Sequence, residues 1–144
     1  MQTFLPFKSF TKTARILDYR RLGKQRVEVF QILRANHEMT KGWRNHPASK
    51  MWAAHTNALV EYGLVICHEW KARGYKDTMT ERIAEFQTGN TSELPEWLGD
   101  ERLHSSHRAS LLLKAPSHYG QFNWSESPAN NYWWPTDHAS ELSA

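Results

Sequence analysis

The chain has 144 residues, 40% apolar and 23% charged, the composition of one globular domain and not of a disordered segment. No apolar stretch approaches the ~20 residues that span a bilayer, and the opening MQTFLPFKSF lacks the pattern of a secretory signal. The net charge of +3 hides a division: residues 1–76 carry fourteen Lys/Arg against five Asp/Glu, a balance of +9, whereas residues 77–144 carry four against ten, a balance of −6. Such asymmetry points to a positive face for a polyanion, or to a basic half packed on an acidic one. The lone Cys67 excludes an internal disulfide and a Cys-rich zinc site, and it fits a reducing cytoplasm.

Ser9 or Thr11 can cap a helix from about Thr11 to Ala35, in which Ala14, Leu17, Leu22, Val29, Ile32 and Leu33 keep helical spacing. Gly23 inside it costs ~1 kcal/mol relative to alanine, so it marks a break or a close approach to the backbone. Residues 36–46 read as a loop, with Asn45 or His46 at the cap and Pro47 at the first position of the next helix. That helix runs from about Pro47 to Arg73, with Trp52, His55, Leu59, Tyr62, Ile66 and Trp70 on one face and Gly74 at its end. His55 there reads as a core histidine. Asp77 or Thr78 caps a short helix through Phe86, a polar loop covers 87–95, and a further helix runs from about Glu101 to Lys114, where Pro116 stops it. The tail from Ser117 has no period, yet its Tyr119, Phe122, Trp124, Tyr132, Trp133 and Trp134 need cover. The expected fold is all-α: a compact single-domain bundle of about four helices over residues 1–144, with an irregular aromatic C-terminal tail, flexible over 137–144.

Three constellations can carry chemistry. On the first helix Asp18, Arg21, Lys24, Gln25 and Glu28 share one stripe, since offsets of three, four and seven lie on one face. Arg20 and Arg26 flank it. Arg and Lys neutralise phosphates and Gln can read a base edge or a sugar, although the same spacing also describes a solvated face of ordinary ion pairs. Second, Gly42-Trp43-Arg44-Asn45-His46-Pro47 feeds a helix N-terminus and suits phosphate, or simply caps the helix over a buried Trp43. Third, His104, His107 and Arg108 share a face. With Glu101 they make a weak metal set, so phosphate or sugar contacts from His107 and Arg108 are expected, with no metal and no cofactor. No Walker loop, dinucleotide fingerprint, nucleophile elbow or HExxH is present, which disfavours P-loop hydrolysis and simple serine hydrolysis.

Four segments together resemble a known family, the pyrimidine-dimer DNA glycosylases of the phage endonuclease V type and their bacterial relatives. Tyr19-Arg20-Arg21-Leu22 followed by Lys24 and Arg26 is similar to the Tyr-Arg-acid-Leu-x-Arg stretch of that family's first helix. Gly42-Trp43-Arg44-Asn45-His46-Pro47 resembles the Gly-aromatic-basic-Asn-His-Pro segment of the bacterial members, and residues 71–78 resemble the end of the family's central helix. The aromatic tail resembles the cluster that lies against DNA in the family. The resemblance implies an α-amine at the N-terminus that attacks C1′ of a damaged nucleotide, displaces the base and, through a Schiff base, allows β-elimination that nicks the strand. An α-amine titrates nearer neutrality than a lysine amine, which suits that role. Two positions depart from the pattern: residue 2 is Gln where the family usually has Thr, and its catalytic Glu falls on or next to the basic pair Arg20-Arg21. The bulk of Gln2 normally prevents removal of Met1.

The expectation is therefore a DNA glycosylase, perhaps an AP lyase, acting as a monomer on damaged or modified pyrimidines in double-stranded DNA with one nucleotide flipped out. Its catalytic candidates are Met1, Gln2, Arg21 and Glu28. Arg20, Lys24, Gln25, Arg26, Arg44, Asn45, His46, His107, Arg108, Trp133 and Trp134 are expected to bind DNA. The alternatives are a non-catalytic binder of damaged or distorted DNA with the same fold, and an enzyme acting on free modified nucleotides.

Overall fold

Ser9 accepts a hydrogen bond from the Lys12 N–H at 3.1 Å and so starts α1, Phe10–Ile16. The computed structural model describes residues 1–89, 93–138 and 140. It continues with α2 (Tyr19–Asn36), α3 (Pro47–Trp52), α4 (Thr56–Ala72), α5 (Thr80–Ala84), α6 (Glu101–Lys114) and the single turn α7 (Pro116–Tyr119), then two 3-10 turns at Gly120–Phe122 and Pro135–His138. Among the described residues every regular element is helical, so the fold is all-α as its patterning implies. No helix among them is long and apolar enough to cross a membrane.

The long helices expected at 11–35 and 47–73 are each split. Leu17 and Asp18 are extended (ψ 137° and 156°), and α2 restarts from Asp18. The second break covers residues 53–55. Pro116 does end α6, because Ala115 before it is pushed to φ −145°, ψ 71°, but the proline then serves as first residue of α7. His46, not Asn45, caps α3, its Nδ1 accepting from the Ala48 N–H at 3.0 Å. His55 sits at the start of α4, 3.5 Å from Glu96 and not sealed in the core. Of the tail expected from 137, Asp137 and His138 close the last 3-10 turn, while 139 and 141–144 lie outside the described residues.

The core lies between α2 and α4. Leu22, Val29, Ile32 and Leu33 of α2 and Leu59, Tyr62 and Ile66 of α4 are all essentially inaccessible. A Cβ on Gly63 would fall 2.7 Å from Val29 Cγ1, so glycine sets how closely the two helices approach. Gly23 has the same logic and resolves the choice its sequence position left open: α2 does not break there, and the ring of Trp70 occupies the space instead, 2.8 Å from where a Cβ would sit. Trp52 and Trp97 meet edge-on at 4.9 Å, which fastens the 95–99 turn to α3.

Candidate active site

Residues 2–6 belong to no helix or strand, so their backbone groups are satisfied by side chains. The Phe4 N–H donates to Gln25 Oε1 at 2.9 Å, and the Phe4 carbonyl accepts from the Tyr62 hydroxyl at 2.7 Å. The Leu5 N–H donates to His107 Nδ1 at 2.9 Å, and the Leu5 carbonyl lies 2.7 Å from His104 Nδ1. Arg108 donates to the Pro6 carbonyl at 2.9 Å. The Trp52 indole donates to Thr3 Oγ1 at 2.9 Å. Two residues of α6 three apart thus clamp one residue of the N-terminal segment, while α2 holds the residues before it.

This fastening brings the chain's first residues against Glu28. The Gln2 N–H points at Glu28 Oε2 from 3.4 Å, and Gln25 Nε2 donates to the same oxygen at 2.8 Å and to the Gln2 carbonyl at 2.8 Å. Lys24 Nζ stands 3.9 Å from the other carboxylate oxygen. Burial pushes the Glu28 carboxyl above its ordinary value; the Gln2 N–H, the N-terminal ammonium, Lys24 and Gln25 pull the other way and do not cancel it. Met1, Gln2, Arg21, Lys24 and Glu28 line one open cleft, whose far wall includes Lys114, His118, Asn130 and Tyr132. Arg21 is set in the cleft by Asp18, 3.2 Å away, and Asp18 is gripped in turn by the Tyr119 hydroxyl at 2.5 Å. Burial would raise the Asp18 carboxyl, but Tyr119 and Arg21 outweigh it and hold it below the usual value, so Arg21 keeps an ionised partner.

The other expected contact residues divide. Arg20 and Asp18 share the cleft with Arg21. Arg44 and Asn45 lie on an exposed loop with Lys41, where Arg44 pairs with Glu38 at 2.9 Å. His46 is close enough to the amino terminus that, after burial, the N-terminal charge is the second cause depressing its ring. Trp134 meets His46 at 5.9 Å and Tyr132 at 5.5 Å, which puts it behind the cleft wall. Trp133 is elsewhere, stacked on His138 at 4.8 Å with the Arg102 guanidinium 4.6 Å over its ring. Four residues expected to face DNA are spent inside the protein. Gln25 is 1% exposed, and its amide is consumed by the N-terminal segment, Tyr62 and Glu28. Arg26 is paired with Asp77 at 2.5 Å. His107 is fully buried on Leu5. Arg108 bonds Glu126, Glu101 and Pro6. The weak metal set dissolves in the same way, since His104 and His107 serve Leu5 and Glu101 serves Arg108. Sequence reading passed over Lys114, Asn130 and Tyr132 as cleft residues. Aromatic enrichment of the tail was the one signal that pointed there.

The Leu5 clamp predicts an acid sensitivity. Burial drives the His107 ring down to about 3 from 6.5, and His104 adds to the effect. Protonation would also convert the acceptor of the Leu5 N–H into a donor. The unfolded chain takes up this proton below about 6.5 and the folded chain does not, so the contribution is complete above that pH and is lost as pH falls towards 3. Unfolding free energy should fall by on the order of 4 kcal/mol across that window. His107→Asn, whose Oδ1 can replace the acceptor, should flatten the slope. Urea titrations at pH 7 and pH 4.5 check this, and equal wild-type stability at both would refute it.

A family model described as pyrimidine dimer DNA glycosylase matches residues 1–82, more than half of the chain and the part that holds the N-terminal segment, Arg21 and Glu28. No curated protein and no solved structure matches.

Proposed function

Because the chain belongs to the pyrimidine dimer DNA glycosylase family, we propose that it excises a damaged or modified pyrimidine from double-stranded DNA, with the α-amine of Met1 as nucleophile. One observation carries this reading: the chain's first two residues, Glu28 and Arg21 line a single open cleft. The unprotonated amine adds to C1′ of a nucleotide turned into the cleft. The bond from C1′ to the base breaks, the base leaves with the electron pair and takes up a proton, and the sugar opens to a Schiff base. Loss of a C2′ proton then expels the 3′ phosphate, which nicks the strand. Glu28, raised by burial, is suited to carry a proton to or from the reacting sugar or to stabilise its cationic form. Arg21, Lys24 and Arg20 supply phosphate contacts. Gln2, by its bulk, keeps Met1 and so keeps the amine.

Borohydride trapping with mass spectrometry tests the chemistry on duplexes carrying a cyclobutane thymine dimer, an abasic site or undamaged thymine. An adduct on the Met1 amine with the dimer duplex is expected. An adduct with the abasic duplex alone would keep the amine and change the base substrate. Tight binding with no adduct would sink the amine mechanism. It would favour a binder of distorted DNA, the second reading, which the presence of Arg21 at the family's acidic position motivates.

A further inference from the structure

The C-terminal tail crosses back over α6 and builds part of the far wall of the cleft. The Ala129 N–H donates to the Ala109 carbonyl at 3.2 Å, and the Trp133 N–H donates to Ser106 Oγ at 3.1 Å. Between these two fastenings lies Ser110, fully buried, which donates to Asn130 Oδ1 at 3.2 Å and stands 2.8 Å from the Tyr132 hydroxyl. A serine has one proton to give, so Tyr132 is the donor in the second contact. The hydrogen bonds therefore run from Tyr132 through Ser110 to Asn130. The Tyr132 ring is pinned in turn, edge-on to Phe4 at 6.5 Å and to His107 at 5.5 Å. Burial raises the Tyr132 hydroxyl, its bond to Ser110 lowers it, and the Glu28 and Arg21 charges act on it from across the cleft. The Asn130 carboxamide thus has its oxygen committed, while its Nδ2 protons meet no acceptor among the described residues. Its side chain is exposed and lines the cleft beside Lys114 and Tyr132. Two main-chain bonds already hold the tail down, so fastening alone does not call for a buried hydroxyl that orients an exposed amide.

We propose that Asn130 Nδ2 donates to the C2 carbonyl oxygen of the pyrimidine that the reaction displaces, and so stabilises the leaving base. This rests on the reading that the cleft carries out amine-driven base removal. When the bond from C1′ to N1 breaks, its electron pair goes to the base. The charge spreads from N1 onto the adjacent C2 oxygen until the base takes up a proton. A donor already fixed in place strengthens its bond as that charge develops and needs no reorganisation at the moment of reaction. Every pyrimidine keeps this oxygen beside the bond that breaks, whatever has happened at C5 and C6. Because the amide is neutral, it holds the uncharged base only weakly, and its effect falls on the step more than on affinity. Ser110 and Tyr132 are positioning residues in this arrangement: they touch Asn130 and set which of its ends faces the cleft.

The test sets single-turnover excision from the dimer duplex beside borohydride trapping on an abasic duplex, which has no base to displace. Asn130→Ala should slow excision on the order of a hundredfold, the loss that follows removal of one preorganised donor. Its affinity for the dimer duplex and its rate of abasic trapping should match wild type. Asn130→Asp should excise more slowly still at neutral pH, because a carboxylate would face an oxygen that is gaining negative charge. It should recover in part as pH falls and the carboxyl acquires a proton to donate. Ser110→Ala, which frees the amide to turn, should slow excision less than Asn130→Ala and again spare abasic trapping. Excision by Asn130→Ala at the wild-type rate would overturn the assignment. An equal loss of excision and of abasic trapping would also overturn it, since that pattern marks a structural role. A wild-type chain that removes no base from the dimer duplex would overturn the underlying reading and the assignment together, and the wild-type chain alone reveals that outcome.

Discussion

Glu28→Gln should cut base removal at least roughly a hundredfold, the lower end of what a positioned acid or base contributes, while the protein stays folded and its affinity for damaged duplex is unchanged or slightly tighter. The geometry favours a clean substitution. Gln25 and the Gln2 N–H both donate to the same Glu28 oxygen, Oε2, so a glutamine carbonyl can take both bonds and turn its amide towards the Lys24 side. Stability should not suffer, and the sign of the pKa shift says why. The folded value lies above the unfolded one because burial dominates. The carboxyl's contribution is therefore complete below its unfolded value and is lost as pH rises through the folded one. At neutral pH the ionised group costs folding free energy, and the neutral amide removes that cost. Single-turnover excision together with thermal melts at pH 7 checks both halves. An excision rate within threefold of wild type would exclude Glu28 from the chemistry, whereas a lower melting temperature would show that the carboxylate serves the fold.

The parts of this structure that could be read from the sequence are those whose causes are local. The start of α3 at His46-Pro47, the α6 span from Glu101 to Lys114 and the stripe of Arg21, Lys24 and Glu28 each follow from caps, proline or helical spacing within a few residues. The two helix breaks have distant causes. In a continuous helix the Ala14 and Ile16 carbonyls would accept from the chain four residues on. Here Arg73 donates to Ala14 and Arg15 at 3.1 Å, His118 Nε2 reaches the Ile16 carbonyl at 2.8 Å, and the displaced Asp18 N–H finds the Tyr119 hydroxyl at 3.0 Å. The Met51 carbonyl is likewise taken by the Trp97 indole at 3.2 Å. No window of the sequence contains both sides of these exchanges. The inward turn of Gln25 and His107 was hidden for the same reason, since residue type and helical phase allow either face of a thin helical layer. What selects the interior is the segment of residues 2–6, which belongs to no helix and needs side chains for its backbone groups.

Gln25→Ala is the substitution expected to cost the fold most. The side chain uses its whole hydrogen-bonding capacity: Oε1 accepts from the Phe4 N–H and the Tyr62 hydroxyl, both at 2.9 Å, and Nε2 donates to the Gln2 carbonyl and Glu28, both at 2.8 Å. Alanine would leave the Phe4 N–H and the Gln2 carbonyl unpaired in a site that is 1% exposed, and would take one partner each from the Tyr62 hydroxyl and Glu28. Each stranded group costs about 1–3 kcal/mol, and partial relaxation makes a total of about 3–5 kcal/mol reasonable, the upper range for one substitution. Urea unfolding measures it, and a loss under about 1 kcal/mol would mean that Gln25 is not what fastens the N-terminal segment. Gln25→Glu separates fastening from chemistry. Its oxygens can still accept from Phe4 and Tyr62, but a second carboxylate would then face Glu28 where an amide donor stood. Like charges in contact raise carboxyl values further, so the acid limb of the excision profile should move to higher pH, while Glu28→Gln in the same background should abolish that movement. If Gln25→Glu excises with an unmoved pH profile, Glu28 does not set that limb, and the proton at the proposed step is carried by another group in the cleft.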